Sequence, residues 1–385
     1  MIVGIPKESL PGEQRIALVP DLVPKLVKAG LEVVLQPGAG AAAGFLDSLY
    51  TEKGARLETD VFPRAEILLK VQPPTVQEVA RIREGAILIG LLQPYANRAG
   101  IEALAARKVT AFSMELMPRI SRAQSMDALS AMSGVAGYKA VLLAGARLPK
   151  FFPLLMTAAG TVSPARVFII GAGVAGLQAI GTARRLGAVV EAYDTRPAVK
   201  EQVESLGAKF VELPLETKDA EDKGGYAKAQ SEEFYRKQQE FMGRCVSSAD
   251  VLITTALVPG KRAPILITEE MVKAMRPGSV IVDLAADQGG NCALTEPGRD
   301  VVKHGVSILG PTNLAATLPF HASQMYARTV TNFLLYLVKE GKVALDLADE
   351  LTRGPLVTHG GEIVHEAVKG AASAGTPVAQ PASTR

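Results

Sequence analysis

The sequence predicts an α/β protein with two parallel-sheet domains, separated by a cleft and joined by long helices. Three observations carry that prediction. A β-α-β unit occupies Ala165 to Asp194. The first 130 residues alternate strand-like and helix-like segments of their own. The chain has 385 residues, enough for two domains that each bury a core.

The β-α-β unit reads ARVFIIGAGVAGLQAIGTARRLGAVVEAYD. Val167 to Ile170 is a short apolar, β-branched run that suits a strand covered on both faces. Gly171, Gly173 and Gly176 follow with the spacing G-x-G-x-x-G, and Leu177, Ile180 and Leu186 then recur at helical spacing. A second apolar run, Val189 to Tyr193, ends in Asp194. Framed by strand, helix, strand and terminal acid over about 30 residues, the glycines form a Rossmann-like dinucleotide fingerprint. Gly171 permits the turn, Gly173 lets a pyrophosphate approach the backbone, and Gly176 lets helix and strand pack closely. The helix start at Val174 and Ala175 offers N–H groups and a positive dipole end to phosphate. Asp194 suits both hydroxyls of an adenine ribose and would repel a 2′-phosphate, which favours NAD over NADP. Arg196, close behind Thr195, weakens that preference slightly.

Composition narrows the function. A net charge of +3 argues against nucleic acid and against electrostatic docking on a membrane. Two cysteines, Cys245 and Cys292, with no C-x-x-C, fit a reducing cytoplasm. The N-terminus reads as strand and loop, not a signal peptide. No apolar run approaches the ~20 residues that span a bilayer, so the chain alone is expected to be soluble.

In chain order, Ile2 to Ile5, Leu31 to Leu35, Ile67 to Val71, Ala86 to Leu91 and Val109 to Ser113 read as strands, and Pro20 to Ala29 as a helix stopped by Gly30. Gly38, Gly40 and Gly44 imitate a phosphate loop. No clear helix or acid-tipped strand follows them, so they read as a glycine-rich loop. Ser125 to Leu148 reads as a long helix between domains, and Ala322 to Val338 as one returning the chain to the first. The expected domains are therefore 1–128 with 322–370, and 129–321, with a disordered tail from Ala371. In the second domain, Lys209 to Leu213, Val251 to Thr254, Ser279 to Leu284 and Val306 to Leu309 continue the sheet. The charged stretch Glu216 to Glu240 reads equally as a solvated insertion or as a mobile flap with Tyr226 at its tip, its second half helical. Loops at the carboxyl ends of parallel strands line the ligand crevice. That rule makes Thr255, Ala256, Asp287 and Asn313 candidates, and Leu257 and Asp283 join the cofactor-binding set.

The chemistry that is missing also informs. Only four histidines occur, none in the first 300 residues, and no metal-ligand cluster or nucleophile motif is present. Oxidising an alcohol or amine moves a proton with the hydride and needs an acid/base group. Direct transfer between two nicotinamides needs only proximity and orientation, which the scarcity of acid/base residues favours.

With those residues in view, the chain resembles the soluble NAD(H)-binding component, domain I, of the proton-translocating NAD(P) transhydrogenases, in the split bacterial form whose alpha subunit is made as two polypeptides. The resemblance covers residues 1 to about 370 and is carried by Pro118 to Ser130, MTAAGTV (Met156 to Val162), GAGVAGLQAI (Gly171 to Ile180), KEQVESLGAKF (Lys200 to Phe210), GGYAK (Gly224 to Lys228), ITTALVPGK (Ile253 to Lys261) and VDLAADQGGN (Val282 to Asn291). It implies a loop beside the nicotinamide formed by Arg119, Gln124, Asp127 and Ser130. It also implies a mobile loop at Gly225 and Tyr226 that closes over NAD(H). Family membership further implies a homodimer, cytoplasmic and peripheral to the inner membrane through partners. Those partners are the membrane-embedded second alpha polypeptide and the beta subunit, the latter carrying NADP(H). NADH would reduce NADP⁺ by direct, Si-specific hydride transfer coupled to proton translocation, active only with the partner subunits. Alanine dehydrogenase is the alternative within the same fold family. Arg15 and Lys70 match its carboxylate-binding positions and Asp287 its catalytic aspartate, while its histidine would fall near Leu92, where none occurs. Arg15 and Lys70 are read as inherited scaffold polarity, and the role of Asp287 stays open.

Overall fold

The computed structural model describes residues 1–212, 232–257 and 262–370. The chain divides into two compact units, one of Met1–Met132 with Ala316–Arg385, the other of Ser133–Ala315. The first opens with β1 (Ile2–Ile5), β2 (Glu32–Leu35), β3 (Arg56–Leu57), β4 (Ile67–Leu69), β5 (Ile87–Gly90) and β6 (Thr110–Ser113). The second carries an exposed hairpin, β7 (Leu155–Thr157) and β8 (Gly160–Val162), then β9 (Arg166–Ile170), β10 (Val189–Tyr193), β11 (Lys209–Phe210), β12 (Val251–Thr254), β13 (Val280–Asp283), β14 (Asp300–Lys303) and β15 (Val306–Leu309). Later in the chain come the hairpin β16 (Val338–Lys339) and β17 (Lys342–Val343), then β18 (Leu356–His359) and β19 (Glu362–Ile363) in the first unit.

The first unit's sheet has the order β19-β18-β6-β5-β4-β1-β2-β3. The strands β1 to β6 are mutually parallel, and apart from the exposed edge strand β3 they are largely apolar and buried, as strands covered on both faces require. The surprise is β18, which adds antiparallel to β6 and brings β19 with it. On one face, Val34, Leu68, Leu88 and Ala111 pack with Ile101 and Leu104. The helix Pro319–Leu337 buries Ala322, Tyr326, Val330, Phe333 and Leu337 at helical spacing, and Phe333 meets Phe112 of β6 edge-on at 5.2 Å. The false phosphate loop is structural: a Cβ on Gly40 would stand 2.6 Å from the Phe45 carbonyl oxygen.

In the second unit the order is β11-β10-β9-β12-β13-β15-β14. All neighbours are parallel except β14, which pairs antiparallel with β15. Counting from β9, the chain first builds outward through β10 and β11, then returns to the other side of β9 with β12. Strand order therefore reverses between β9 and β12, the topological switch point where ligands bind in open α/β sheets. The carboxyl ends of those two strands are Ile170 and Thr254.

Several expected boundaries move. The third strand of this sheet is only Lys209–Phe210. The long helix begins at Ala128, because Ser121–Met126 is a 3-10 segment. The helix Glu232–Ser248 occupies the later part of the charged stretch. The flap residues Gly225 and Tyr226 and the tail from Ala371 lie outside the described residues. By length and composition, the helix Ala128–Arg147 is apolar enough to cross a membrane, which no run in the sequence had suggested. Ala140, Val141 and Ala144 on it are nevertheless fully buried in the core of the second unit.

Candidate functional site

The turn after β9 shows three glycines with three different reasons. Gly171 has φ +93°, a backbone that favours glycine, and a Cβ there would lie 2.4 Å from Thr255 Oγ1. Gly176 faces the turn itself, and its Cβ would fall 1.8 Å from the Gly171 carbonyl oxygen. At Gly173 the space is open: the nearest atom to a Cβ is Arg196 Nη2 at 4.0 Å. The helix Val174–Arg185 has no side-chain cap at Gly173, and Val174 is 48% exposed. The first N–H groups of a helix have no partner within it, so Val174, Ala175 and Gly176 begin a helix suited to an anion. From the other side Gly137 approaches so closely that its Cβ would meet the Ala175 carbonyl oxygen at 2.1 Å.

Asp194 closes β10, and its side chain is 6% exposed. Its Oδ2 accepts from Ala172 N at 2.8 Å and from Arg196 Nη2 at 2.9 Å. Its Oδ1 accepts from Arg196 N and Arg196 Nε, both at 2.9 Å. The acid thus fastens the glycine turn to its own strand, and Arg196 grips it through side chain and backbone together. Thr195 sits between the two partners.

The loops after β12 and β13 are held by two buried residues. Asp283, fully buried, accepts through Oδ1 from Thr254 Oγ1 and Ala285 N, both at 3.0 Å. Through Oδ2 it accepts from Asn291 N, Cys292 N and Thr295 Oγ1 at 2.7 to 3.0 Å. With five donors on a carboxylate that no solvent reaches, Asp283 sits beneath the site and shapes it, where the sequence had suggested direct cofactor contact. Asn291, also fully buried, accepts from Ala256 N at 3.0 Å and donates to the Ala256 and Pro264 carbonyls, both at 2.9 Å. Thr255 Oγ1 donates to the Gly171 carbonyl at 3.1 Å. The candidates Thr255 and Ala256 are therefore brought against the glycine turn, with the half-buried Leu257 next in the chain. Sequence reasoning missed Asn291, although it lies in a stretch already singled out. Asn313 has φ +49°, and its N–H reaches Asp287 Oδ2 at 3.4 Å. Desolvation at that position pushes the Asp287 carboxyl above its ordinary range.

In the first unit, Arg119 and Gln124 are exposed, while Ala123 and Met126 anchor the 3-10 segment in the core. Asp127 caps the helix Ala128–Arg147: its Oδ1 accepts from Ser130 N at 2.8 Å and its Oδ2 from Ser130 Oγ at 2.6 Å. Arg122 grips Asp349 through two bonds of 3.0 and 3.1 Å. Tyr336 also donates to Asp349, and these partners hold that carboxyl well below the usual range.

Arg15 and Lys70 lie in a buried polar network of the same unit. Arg15 donates to Glu13 through Nε at 2.7 Å and Nη2 at 2.6 Å, and Gln72 Nε2 donates to Glu13 at 2.9 Å. Lys70 Nζ lies 3.2 Å from Glu8 and 3.7 Å from Glu78. Gln93, with φ +50°, donates through its side chain to Gln72 and through its backbone to Glu115. Burial pushes the carboxyls of Glu8 and Glu115 up. No group of three or more His, Cys, Asp or Glu is placed to hold a metal among the described residues.

Comparison with known proteins gives this geometry a family. Residues 4–136 match the alanine dehydrogenase/PNT N-terminal domain and residues 140–366 the alanine dehydrogenase/PNT C-terminal domain. The chain is 51% identical to the first part of NAD(P) transhydrogenase subunit alpha of Rhodospirillum rubrum, over 96% of this chain and 99% of that one. It is 31% identical to alanine dehydrogenase of Bacillus subtilis, over 96% and 94%. A transhydrogenase structure from Sinorhizobium meliloti superposes with a TM-score of 0.84 at 43% identity, covering 95% of this chain and all (100%) of that one. The open glycine turn at a switch point, the acid-tipped second strand and both matched domains agree: the chain belongs to the alanine dehydrogenase/PNT family.

Proposed function

We propose that the chain is the NAD(H)-binding component of a proton-translocating transhydrogenase, and that it passes hydride from NADH directly to NADP⁺ on a partner beta subunit. The observation that carries this reading is the near-full-length identity to the first part of a transhydrogenase alpha subunit, in a chain with one open, anion-ready glycine turn. Gly173 has the clearance a pyrophosphate needs, and Val174 and Ala175 supply N–H groups beside it. Asp194 recognises the adenine ribose, and Thr255, Ala256, Leu257 and Asn313 border the same sheet edge. When bound, NADH supplies the hydride. Gln124, Asp127, Arg119 and Ser130 are assigned to orienting the nicotinamide end, on the strength of the family motif. Gly225 and Tyr226 are assigned to a closing loop on the same ground.

The remaining assignments follow from the reading. The chain acts as a homodimer at the cytoplasmic face of the membrane that carries the second alpha polypeptide and the beta subunit. The second nicotinamide, NADP(H), is the partner's.

Alanine dehydrogenase is the second reading, favoured by the buried Arg15 and Lys70. Against it, that activity calls for an acid/base histidine near Leu92, where none occurs. One experiment separates the two. Purified protein is mixed with an isolated NADP(H)-binding partner domain, and hydride transfer from NADH to NADP⁺ is followed. In parallel it is assayed with NAD⁺ and L-alanine. Transfer without alanine oxidation supports the proposal, and alanine turnover alone sinks it.

A further inference from the structure

Asp194 holds four donors: Ala172 N, Arg196 N, Arg196 Nε and Arg196 Nη2, all at 2.8 to 2.9 Å. A carboxylate has about four lone-pair positions, so this one is full. Two of the four donors belong to the Arg196 side chain, which is 15% exposed and already packed down. Yet Asp194 is the group that must receive two ribose hydroxyls when an adenine nucleotide docks. The other two donors are backbone N–H groups that form the turn and cannot leave without undoing it.

We propose that Arg196 is a displaceable latch on the ribose-recognition carboxylate, exchanging Asp194 for the nucleotide's diphosphate. The inference rests on the dinucleotide reading above and specifies how that site selects its ligand. The hydroxyl count matches: two ribose O–H donors replace Nε–H and Nη2–H, and Asp194 remains saturated. The released cation has a destination. Arg196 Nη2 is the nearest atom to the open side of Gly173, at 4.0 Å from a Cβ position there, and this is the side a pyrophosphate approaches. A guanidinium pairs with phosphate oxygens as readily as with a carboxylate. A ligand with ribose and diphosphate therefore opens the latch and receives it. A ligand with ribose alone opens it but offers the guanidinium no phosphate. Recognition of the two halves of ADP becomes cooperative within one site.

The test is calorimetric titration of the full chain with adenosine, ADP and NADH, in the natural sequence and in Arg196→Gln and Arg196→Lys. In Arg196→Gln the latch is gone, so adenosine binds at least threefold more tightly. ADP loses its guanidinium partner, so the ratio of adenosine to ADP dissociation constants falls at least tenfold. Arg196→Lys keeps the charge without the fork and falls between the two. Unchanged far-ultraviolet circular dichroism shows that each variant is folded. An unchanged ratio in both variants, with NADH and ADP still bound by the natural chain, overturns the latch alone. A natural chain that binds neither NADH nor ADP overturns the dinucleotide reading itself.

Discussion

Asn332 Nδ2 donates a 2.9 Å hydrogen bond to the Ser125 carbonyl, joining residues 207 apart in sequence. Through it, the helix Pro319–Leu337 holds the backbone immediately beside Gln124. Asn332→Leu removes the bond and is expected to cost about 1 kcal/mol or less in stability. If the proposed role of Gln124 holds, hydride transfer with the partner domain slows several-fold while the NADH dissociation constant changes less than twofold. Stopped-flow transfer rates and a binding titration measure the two separately.

Gln124→Asn retracts the amide by one methylene without altering charge. Misplacement on this scale lowers rates steeply when catalysis is mainly positioning. A fall in hydride-transfer rate of about tenfold or more, with NADH affinity held within twofold, is the expected outcome. Wild-type turnover refutes the role.

The glycines of the turn separate fold from binding. Gly176→Ala forces a methyl to 1.8 Å from the Gly171 carbonyl oxygen, so backbone must move. Overpacking of this kind costs about 1–3 kcal/mol or more, which appears as a lower melting temperature. Gly173→Ala meets nothing closer than 4.0 Å and should melt like the natural protein. Its added methyl occupies the pyrophosphate's approach, so NADH affinity falls instead. A Gly173→Ala variant with normal NADH affinity means phosphate does not use that side.

Much of this was legible in the chain. The strands β1, β2, β4 to β6, β9, β10, β12, β13 and β15 are apolar runs because a parallel sheet buried on both faces leaves no room for alternation. The three glycines of the fingerprint were legible for the same reason, each fixed by a local clash or clearance. The cap by Asp127 was not legible: the helix reads from Ser125 in the sequence, and only the structure shows it starting at Ala128 with Ser130 donating to Asp127. The strand β14, DVVK, was not legible either, because an exposed edge tolerates polar residues. Nor was β18, whose pairing with β6 depends on a partner more than 200 residues away. Asn291 and the grip of Arg196 on Asp194 were hidden because loop geometry, not spacing, aims those side chains.

Acid stability offers another check. Arg122, Tyr336 and the Leu351 N–H hold the Asp349 carboxyl below its ordinary value. A depressed folded-state value means the contribution is full above the unfolded value, about 3.9, and is lost as pH falls toward the folded one. Asp349→Asn should therefore lower the melting temperature at pH 6. The difference from the natural chain should shrink steadily below about pH 4. A difference that does not vary with pH shows that the ionised carboxylate is not what anchors Arg122.

The buried network around Lys70 has a proton balance of its own. Glu8, Glu13, Glu78 and Glu115 outnumber Arg15 and Lys70 there, and Glu8 and Glu115 both carry raised carboxyl values. Carboxyls that hold protons more tightly folded than unfolded take up protons as the chain folds. Refolding near pH 5 should therefore draw protons from the buffer, and the measured heat should scale with the buffer's ionisation enthalpy. Raising the pH through that window withdraws the contribution that protonated Glu8 and Glu115 make to the first unit.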